Sequence, residues 1–498
     1  ASTDAASADA AAHDAAPSPD AVLPDAGLPA CAPPEGPAPA PAPMTAGRYA
    51  RVAAFPSRHV GPRGVTVYLP AGYDAAADTR YRVLYMHDGQ NLFAPAEAAF
   101  GNAWEVDDTL DRLVLAGRIP ALIVVGVHNT AARVEEYTPS VDPVLREGGM
   151  AARYGRFLVE ELKPWVDARF RTRCGRDDTA LAGSSLGGLV SLYLLRAYPD
   201  VFGRVAAVSP SLWWNDQEAL GWAGDIAAAW SPGERLWIDG GNREGGDSDG
   251  DGRSSVTEDD RYLVEALVTA GVPSPAGVAL LEVPDAAHDE PAWAARLPSV
   301  LVFLFGPPLD GPPSRLVPRL YEGLDADHRP VSVDARFTAP AIVTLPHGAP
   351  TWSVDDPGRA RVEDGEVRVL TPGNTTAHAR WRGVEAGLPL GPDAPFEVRF
   401  RITVPANTPD DATVEVRGDL PQLGAWEGAG LTLERNGPRL WTGTLALPRG
   451  TVFEFKVTRG GWETVEKDPD GGEVPNRRAV ADGDPLVALQ VARWADLP

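Results

Sequence analysis

Leu181-Ala182-Gly183-Ser184-Ser185-Leu186-Gly187-Gly188 is the stretch on which the reading of this chain turns. Gly183 to Gly187 spells G-x-S-x-G, set between the apolar run Thr179-Ala180-Leu181-Ala182 and a helical pattern. A strand that turns this sharply into a helix pushes the serine hydroxyl outward, and the flanking glycines remove the side chains that would block the turn. A hydroxyl is a weak nucleophile at neutral pH, so the motif predicts a histidine base and a carboxylate farther along.

The surroundings suit such an elbow. Strand-like runs recur at Val65–Leu69, Arg82–Met86, Ala121–Val127, Thr179–Ala182, Val205–Val208, Arg235–Ile238 and Val278–Leu281. Several are continuously apolar, as strands covered on both faces are. Amphipathic stretches such as Tyr154–Ala168 and Tyr262–Ala270 lie between them. The alternation predicts an α/β domain over 47–308 with a mostly parallel central sheet.

Of the histidines in this region, His59, His87, His128 and His288, only His288 follows Ser185, just past the strand ending at Val283. The order serine, acid, histidine places the acid after Leu236-Trp237-Ile238, in a loop offering Asp239, Glu244 and Asp247. Glu244 is the choice, a few residues past the strand end where a loop can turn back, and any of the three could hold the imidazole tautomer. An oxyanion would be met by the backbone N–H of Leu186 and a second from Gly89 or Gln90, after the strand Tyr85-Met86-His87. His87 and Asp88 are expected to fix that loop rather than to act as an acid/base pair.

With Tyr85 to Phe93, Glu136-Tyr137-Thr138-Pro139, Gly183 to Gly188, Ser209-Pro210-Ser211-Leu212-Trp213-Trp214 and His288 in place, residues 47–306 resemble the bacterial esterase family of α/β-hydrolases, with its enterochelin-esterase-like and feruloyl-esterase-like members. The resemblance implies hydrolysis of a small-molecule ester through an acyl-serine, with no cofactor in the chemistry. It also places the family's acid at Glu244, although some members rely on a serine–histidine pair. Trp213 and Trp214 are candidates for the substrate cleft, or for ordinary aromatic packing.

Asp247-Ser248-Asp249-Gly250-Asp251-Gly252, followed by Glu258, fits D-x-D-x-D-G-x5-E. That spacing aims Asp247, Asp249, Asp251 and Glu258 at one hard cation, so a structural calcium is expected, against the alternative of a flexible acidic loop. A strand rather than a helix precedes it, and Ser254 stands where an apolar residue is usual.

After Gly306, Pro307-Pro308 and Gly311-Pro312-Pro313 read as a linker, and helical patterning gives way to short strands. Two small all-β sandwich domains are expected. Residues 314–392 resemble a bacterial immunoglobulin-like repeat, with Thr351 to Pro357 and Gly365 to Val369. Residues 395–498 resemble a family 20 carbohydrate-binding module of the starch-binding type, through Gly418 to Trp426, Leu440 to Gly443, Phe453 to Trp462 and Pro475-Asn476-Arg477. The resemblance implies a platform for starch or a related α-glucan from Trp426, Lys456 and Trp462, flat rings stacking on sugars; the family's second tryptophan position holds Val465-Glu466-Lys467.

The 498 residues suggest about two to four domains. Apolar residues at 44% and charged residues at 23% fit a globular chain, and a net charge of −24 argues against nucleic acid or anionic membrane as partners. No apolar run reaches the ~20 residues of a membrane span. Residues 1–46 form an Ala/Pro/Asp-rich tail that cannot bury a core. No signal-peptide pattern is seen, but the tail resembles the spacer of an exported bacterial protein, which predicts a secreted, cell-surface or periplasmic location. Cys31 and Cys174 could pair there or stand as two thiols. The competing functions are an acyltransferase using the same triad and a non-catalytic polysaccharide-binding surface protein.

Overall fold

The computed structural model describes residues 49–497 apart from 75–77, 100, 322–326, 339–340, 410, 438 and 483–485. The tail 1–46 and Cys31 lie outside the described residues.

Eight strands form the esterase-like half: β1 (Tyr49–Phe55), β2 (Arg63–Tyr68), β3 (Arg82–His87), β4 (Leu122–Val127), β5 (Thr179–Ser184), β6 (Arg204–Val208), β7 (Arg235–Gly241) and β8 (Val278–Val283). Their spatial order is β1-β2-β4-β3-β5-β6-β7-β8. β1 and β2 run antiparallel, and β2 meets β4 antiparallel; β4, β3 and β5 through β8 are parallel. This is the α/β architecture expected. Because those strands are parallel, their C-terminal ends share one rim, and every loop singled out from the sequence leaves from it.

The apolar runs are buried on both faces. On one, Val67, Ile123, Leu181 and Ile238 join Leu189 and Val190 of the elbow helix Leu186–Ala197. On the other, Leu84, Val124, Ala206 and Trp237 pack with the helix Glu290–Phe305 through Leu297, Leu301 and Leu304. The sequence reading missed β1, whose Ala-rich run Tyr49-Ala50-Arg51-Val52-Ala53-Ala54 carries little strand propensity and is held by pairing with β2.

The segment 314–392 is all-β, but it is joined to the sheet more closely than a linker suggests. Its strands β9 (Arg315–Leu320), β10 (His328–Arg336) and β11 (Ile342–Thr344) extend the central sheet, with Thr344 of β11 opposite Leu280 of β8. Leu316, Val333, Ala335 and Val343 share one core with Trp237 and Phe303. A buried polar knot closes the seam: Glu282 accepts from Arg261 (2.7 Å), Tyr321 (2.6 Å) and Ser332. Burial alone would raise the Glu282 carboxyl, but the Arg261 charge outweighs it and holds the group at about 2. Beyond, β12 (Thr351–Val354), β13 (Ala360–Glu363), β14 (Glu366–Val369), β15 (Thr375–Trp381) and β16 (Val384–Leu390) complete the segment, β14 pairing with β10.

The last unit has its own core around Phe400, Val416, Trp441, Phe453 and Trp494. One sheet holds β17 (Phe396–Thr403), paired with Leu440–Leu447 and Leu486–Gln490; the other holds Glu415–Gly418, Val452–Thr458 and Arg477–Val480. Among the described residues no helix is long and apolar enough to cross a membrane.

Candidate active site

Ser185 sits between β5 and the elbow helix with φ 59° and ψ −125°, a conformation that a non-glycine residue keeps only where its surroundings impose it. A Cβ on Gly183 would stand 2.7 Å from the Gly187 carbonyl oxygen and 2.8 Å from the His87 ring. Glycine is therefore what allows strand and helix to close at the elbow. His87 lies beneath, its Nδ1 2.9 Å from the Tyr154 hydroxyl. Burial lowers its pKa to about 4, so it supports the turn as a neutral ring.

His288 and Glu244 meet at the rim, with Nδ1 2.8 Å from Oε2. Glu244 is wholly buried, whereas the imidazole is 40% exposed. The ring stands edge-on to Trp293, at 5.0 Å between centroids and 86° between planes. With Nδ1–H donated to Glu244, Nε2 keeps its lone pair for a proton. The Ser185 hydroxyl lies 3.3 Å from that of Ser211.

The other oxygen of Glu244 is fixed from three sides: Ser209 Oγ (2.8 Å), Gly241 N–H (2.8 Å) and Arg296 Nη2 (3.0 Å) all donate to Oε1. Burial pushes the Glu244 carboxyl up, but the His288 hydrogen bond and the Arg296 charge outweigh it and hold the group below its ordinary value. Arg296 also donates to Asp239 (2.8 Å), which further accepts from the Trp237 indole (2.5 Å). Asp239 is thus engaged away from the histidine, and Asp247 is exposed in the acidic loop. Behind them Asp260 is fully buried with neither carboxyl oxygen hydrogen-bonded. Burial first, then Asp239 and Glu244, push it well above the carboxylate range.

Ser209, Trp293 and Arg296 were not picked out from the sequence as support for the acid. Arg296 offered a signal: a cation within the apolar run from Trp293 to Phe305 must find buried anions.

Leu186 opens its helix, where the first N–H groups have no intrahelical acceptor. Gly89 and Gln90 lie in the short turn Gly89–Asn91, and a Cβ on Gly89 would fall 2.4 Å from the Gly126 carbonyl carbon. Asp88 holds this loop, accepting from Asn129 Nδ2 (2.6 Å) and from Arg133 Nε and Nη2 (2.9 Å each). The two tryptophans part company. Trp213 is 51% exposed, but Trp214 is 1% exposed in the core and donates to the Ser140 carbonyl, which corrects its reading as a cleft residue.

In the acidic loop, ligand atoms of Asp247, Asp249 and Asp251 lie within 4.8 Å of one another. Glu258 stands outside that trio, in the first turn of the helix Ser255–Thr269. Burial and then the charges of Asp251 and Asp249 raise it to about 7. In the last unit Trp426 and Trp462 form a pair, with centroids 5.9 Å apart and the Trp462 indole donating to the Trp426 carbonyl (3.0 Å). Lys456, on the strand Val452–Thr458, is 3.5 Å from Glu473.

Residues 58–304 match the family model described as "Putative esterase", and residues 395–473 match the starch binding domain model. Protein YbbA of Bacillus subtilis is 26% identical over 161 residues, covering 31% of this chain and 60% of that protein. A siderophore enterobactin esterase of Emericella nidulans is 35% identical over 82 residues, 16% of this chain and 27% of its own. An alpha-amylase of Niallia circulans is 39% identical over 100 residues, 20% of this chain and 8% of its own. The chain thus spans about 60% of the first of these relatives and far less of the other two. Fold, rim and family matches agree: the chain carries an esterase-family α/β-hydrolase domain followed by a starch binding domain.

Proposed function

We propose that the protein is a carboxylic ester hydrolase working through an acyl-serine on Ser185, acting on carbohydrate-linked or other small acyl esters. The observation that carries this reading is the buried Glu244 bonded to His288 at the rim where the strained Ser185 sits. His288 Nε2 takes the serine proton as Oγ attacks the ester carbonyl, and returns it to the leaving alcohol. Glu244 stabilises the imidazolium formed on the way. The N–H groups of Leu186 and of Gly89 or Gln90 meet the developing oxyanion. Water, activated by the same histidine, then releases the acid. Trp213 is the cleft residue in this scheme.

The starch binding domain match supports holding the enzyme on an α-glucan through Trp426, Lys456 and Trp462, and a place outside the cell. Asp247, Asp249, Asp251 and Glu258 offer a hard, all-oxygen donor set suited to calcium. That ion would stiffen the loop from Glu244 to the helix Ser255–Thr269 and takes no part in the chemistry.

The test is Ser185→Ala assayed on short p-nitrophenyl esters. Turnover should vanish with glucan binding intact; unchanged turnover sinks the reading.

A further inference from the structure

β17 alternates strictly. Phe396, Val398, Phe400 and Ile402 fill the core of the starch binding domain, while Arg399 and Arg401 point the other way. Both arginines are spent on the loop that carries His288. Arg399 grips Asp285 with two donors, Nε on one carboxylate oxygen and Nη2 on the other (3.0 Å). Arg401 Nη1 donates to the Asp285 backbone carbonyl (3.1 Å), and its Nη2 lies 4.0 Å from Asp289. Asp285 is three residues before His288, its side chain 7% exposed and its φ 59°. It also faces Arg243 (3.4 Å), the neighbour of Glu244, whose N–H bonds the Ala286 carbonyl.

We infer that the starch binding domain is part of the catalytic frame, with Arg399 and Arg401 as positioning residues that hold the His288 loop through Asp285. Three features carry this beyond ordinary domain contact. β17 is paired on both sides, antiparallel to Leu440–Leu447 and parallel to Leu486–Gln490, so the arginines stand on a stiff support. The fork on Asp285 is bidentate, which fixes direction as well as distance. Asp285 holds a left-handed backbone conformation that costs energy in any residue but glycine and persists where neighbours impose it. The domain therefore sets the ring that must take the proton from Ser185, while its tryptophan pair belongs to loops flanking the other sheet. The inference rests on the esterase reading for its catalytic consequence.

The test uses the full chain carrying Arg399→Ala with Arg401→Ala, and separately Asp285→Asn. Glu434→Gln serves as control, because Glu434 ties the same starch binding domain to β10 through Arg336 (3.0 Å), away from the His288 loop. Folding is checked by circular dichroism and by retained cyclodextrin binding. The expected result is a kcat on p-nitrophenyl acetate lowered by about ten- to a hundredfold, as small misplacements of a reacting group produce. KM should stay put, Glu434→Gln should match the parent, and Arg399→Lys should restore part of the loss. A kcat unchanged in the double variant, or lowered equally in Glu434→Gln, overturns the inference.

Should the parent hydrolyse no ester, the esterase reading fails by itself. The His288 imidazole resonances, assigned with His288→Gln, then decide the inference: shifted or broadened signals in the double variant support it, and unmoved signals overturn it.

Discussion

Replacing Arg296 by methionine removes the single cation shared by Asp239 and Glu244. The guanidinium side chain is 2% exposed and both carboxylates are fully buried, at 2.8 Å and 3.0 Å, so solvent screens neither contact. Removing one partner of a buried ion pair costs about 3–5 kcal/mol, because the remaining charge is stranded. Here two carboxylates lose their cation, but Glu244 keeps His288, Ser209 and Gly241 and Asp239 keeps the Trp237 indole, which places the loss within that range. The sign with pH follows from the carboxyls. In the parent, Glu244 is held below its ordinary value, so its contribution is present above the unfolded pKa and fades as pH falls through the folded one. Asp239, already raised by burial in the parent, climbs further without Arg296, and Glu244 loses one of the partners that hold it down. The penalty is then full at pH 8 and shrinks toward pH 5 as the buried groups take up protons. Urea unfolding of parent and variant at the two pH values measures this, with p-nitrophenyl acetate turnover as the second readout. A loss below about 1 kcal/mol at pH 8, as for an exposed pair, would refute the reasoning, as would a penalty equal at both pH values.

Glu282 gives a second pH signature. Its carboxyl moves from 4.5 to about 2 on folding, so it stabilises the seam by about 3 kcal/mol above pH 4.5 and loses that as pH falls to 2. The stability gap between the parent and Glu282→Gln should narrow over that interval, and a constant gap would contradict the assignment. Calcium added to chelator-treated protein should give a calorimetric binding heat that Asp249→Asn with Asp251→Asn abolishes; no heat in the parent removes the calcium proposal. Trp426→Ala should weaken cyclodextrin binding by about tenfold or more, as loss of an aromatic anchor does, with ester turnover unchanged. Unaltered binding would make the tryptophan pair a packing feature.

Much of the rim was legible because parallel topology turns order along the chain into position. Once Ser185, the loop after Trp237 and His288 were each seen to follow a strand, their convergence was required, and Glu244 does meet His288. The choice among Asp239, Glu244 and Asp247 could not be made by spacing. In the fold Asp239 is bonded by Arg296, 57 residues on, and by Trp237 of its own strand, and Glu244 is the carboxylate that meets His288. Trp213 and Trp214 are adjacent letters of one type, and only the fold separates an exposed ring from a buried one. The union of 314–392 with the central sheet was hidden for a similar reason. β11 is three residues long, and its pairing with β8 leaves no local pattern, while the prolines after Gly306 read as a separator. In sequence the arginines of β17 are only the polar positions of an alternating strand. Their partner Asp285 stands 114 residues before Arg399 and 116 before Arg401.

The central claim is that Ser185 is the activated nucleophile. Labelling with a fluorophosphonate, followed by peptide mass spectrometry, tests it most directly. The account predicts one adduct, on the peptide bearing Ser185, suppressed when His288 is replaced by glutamine. An adduct confined to another serine, or a label that persists undiminished in Ser185→Ala, would contradict it.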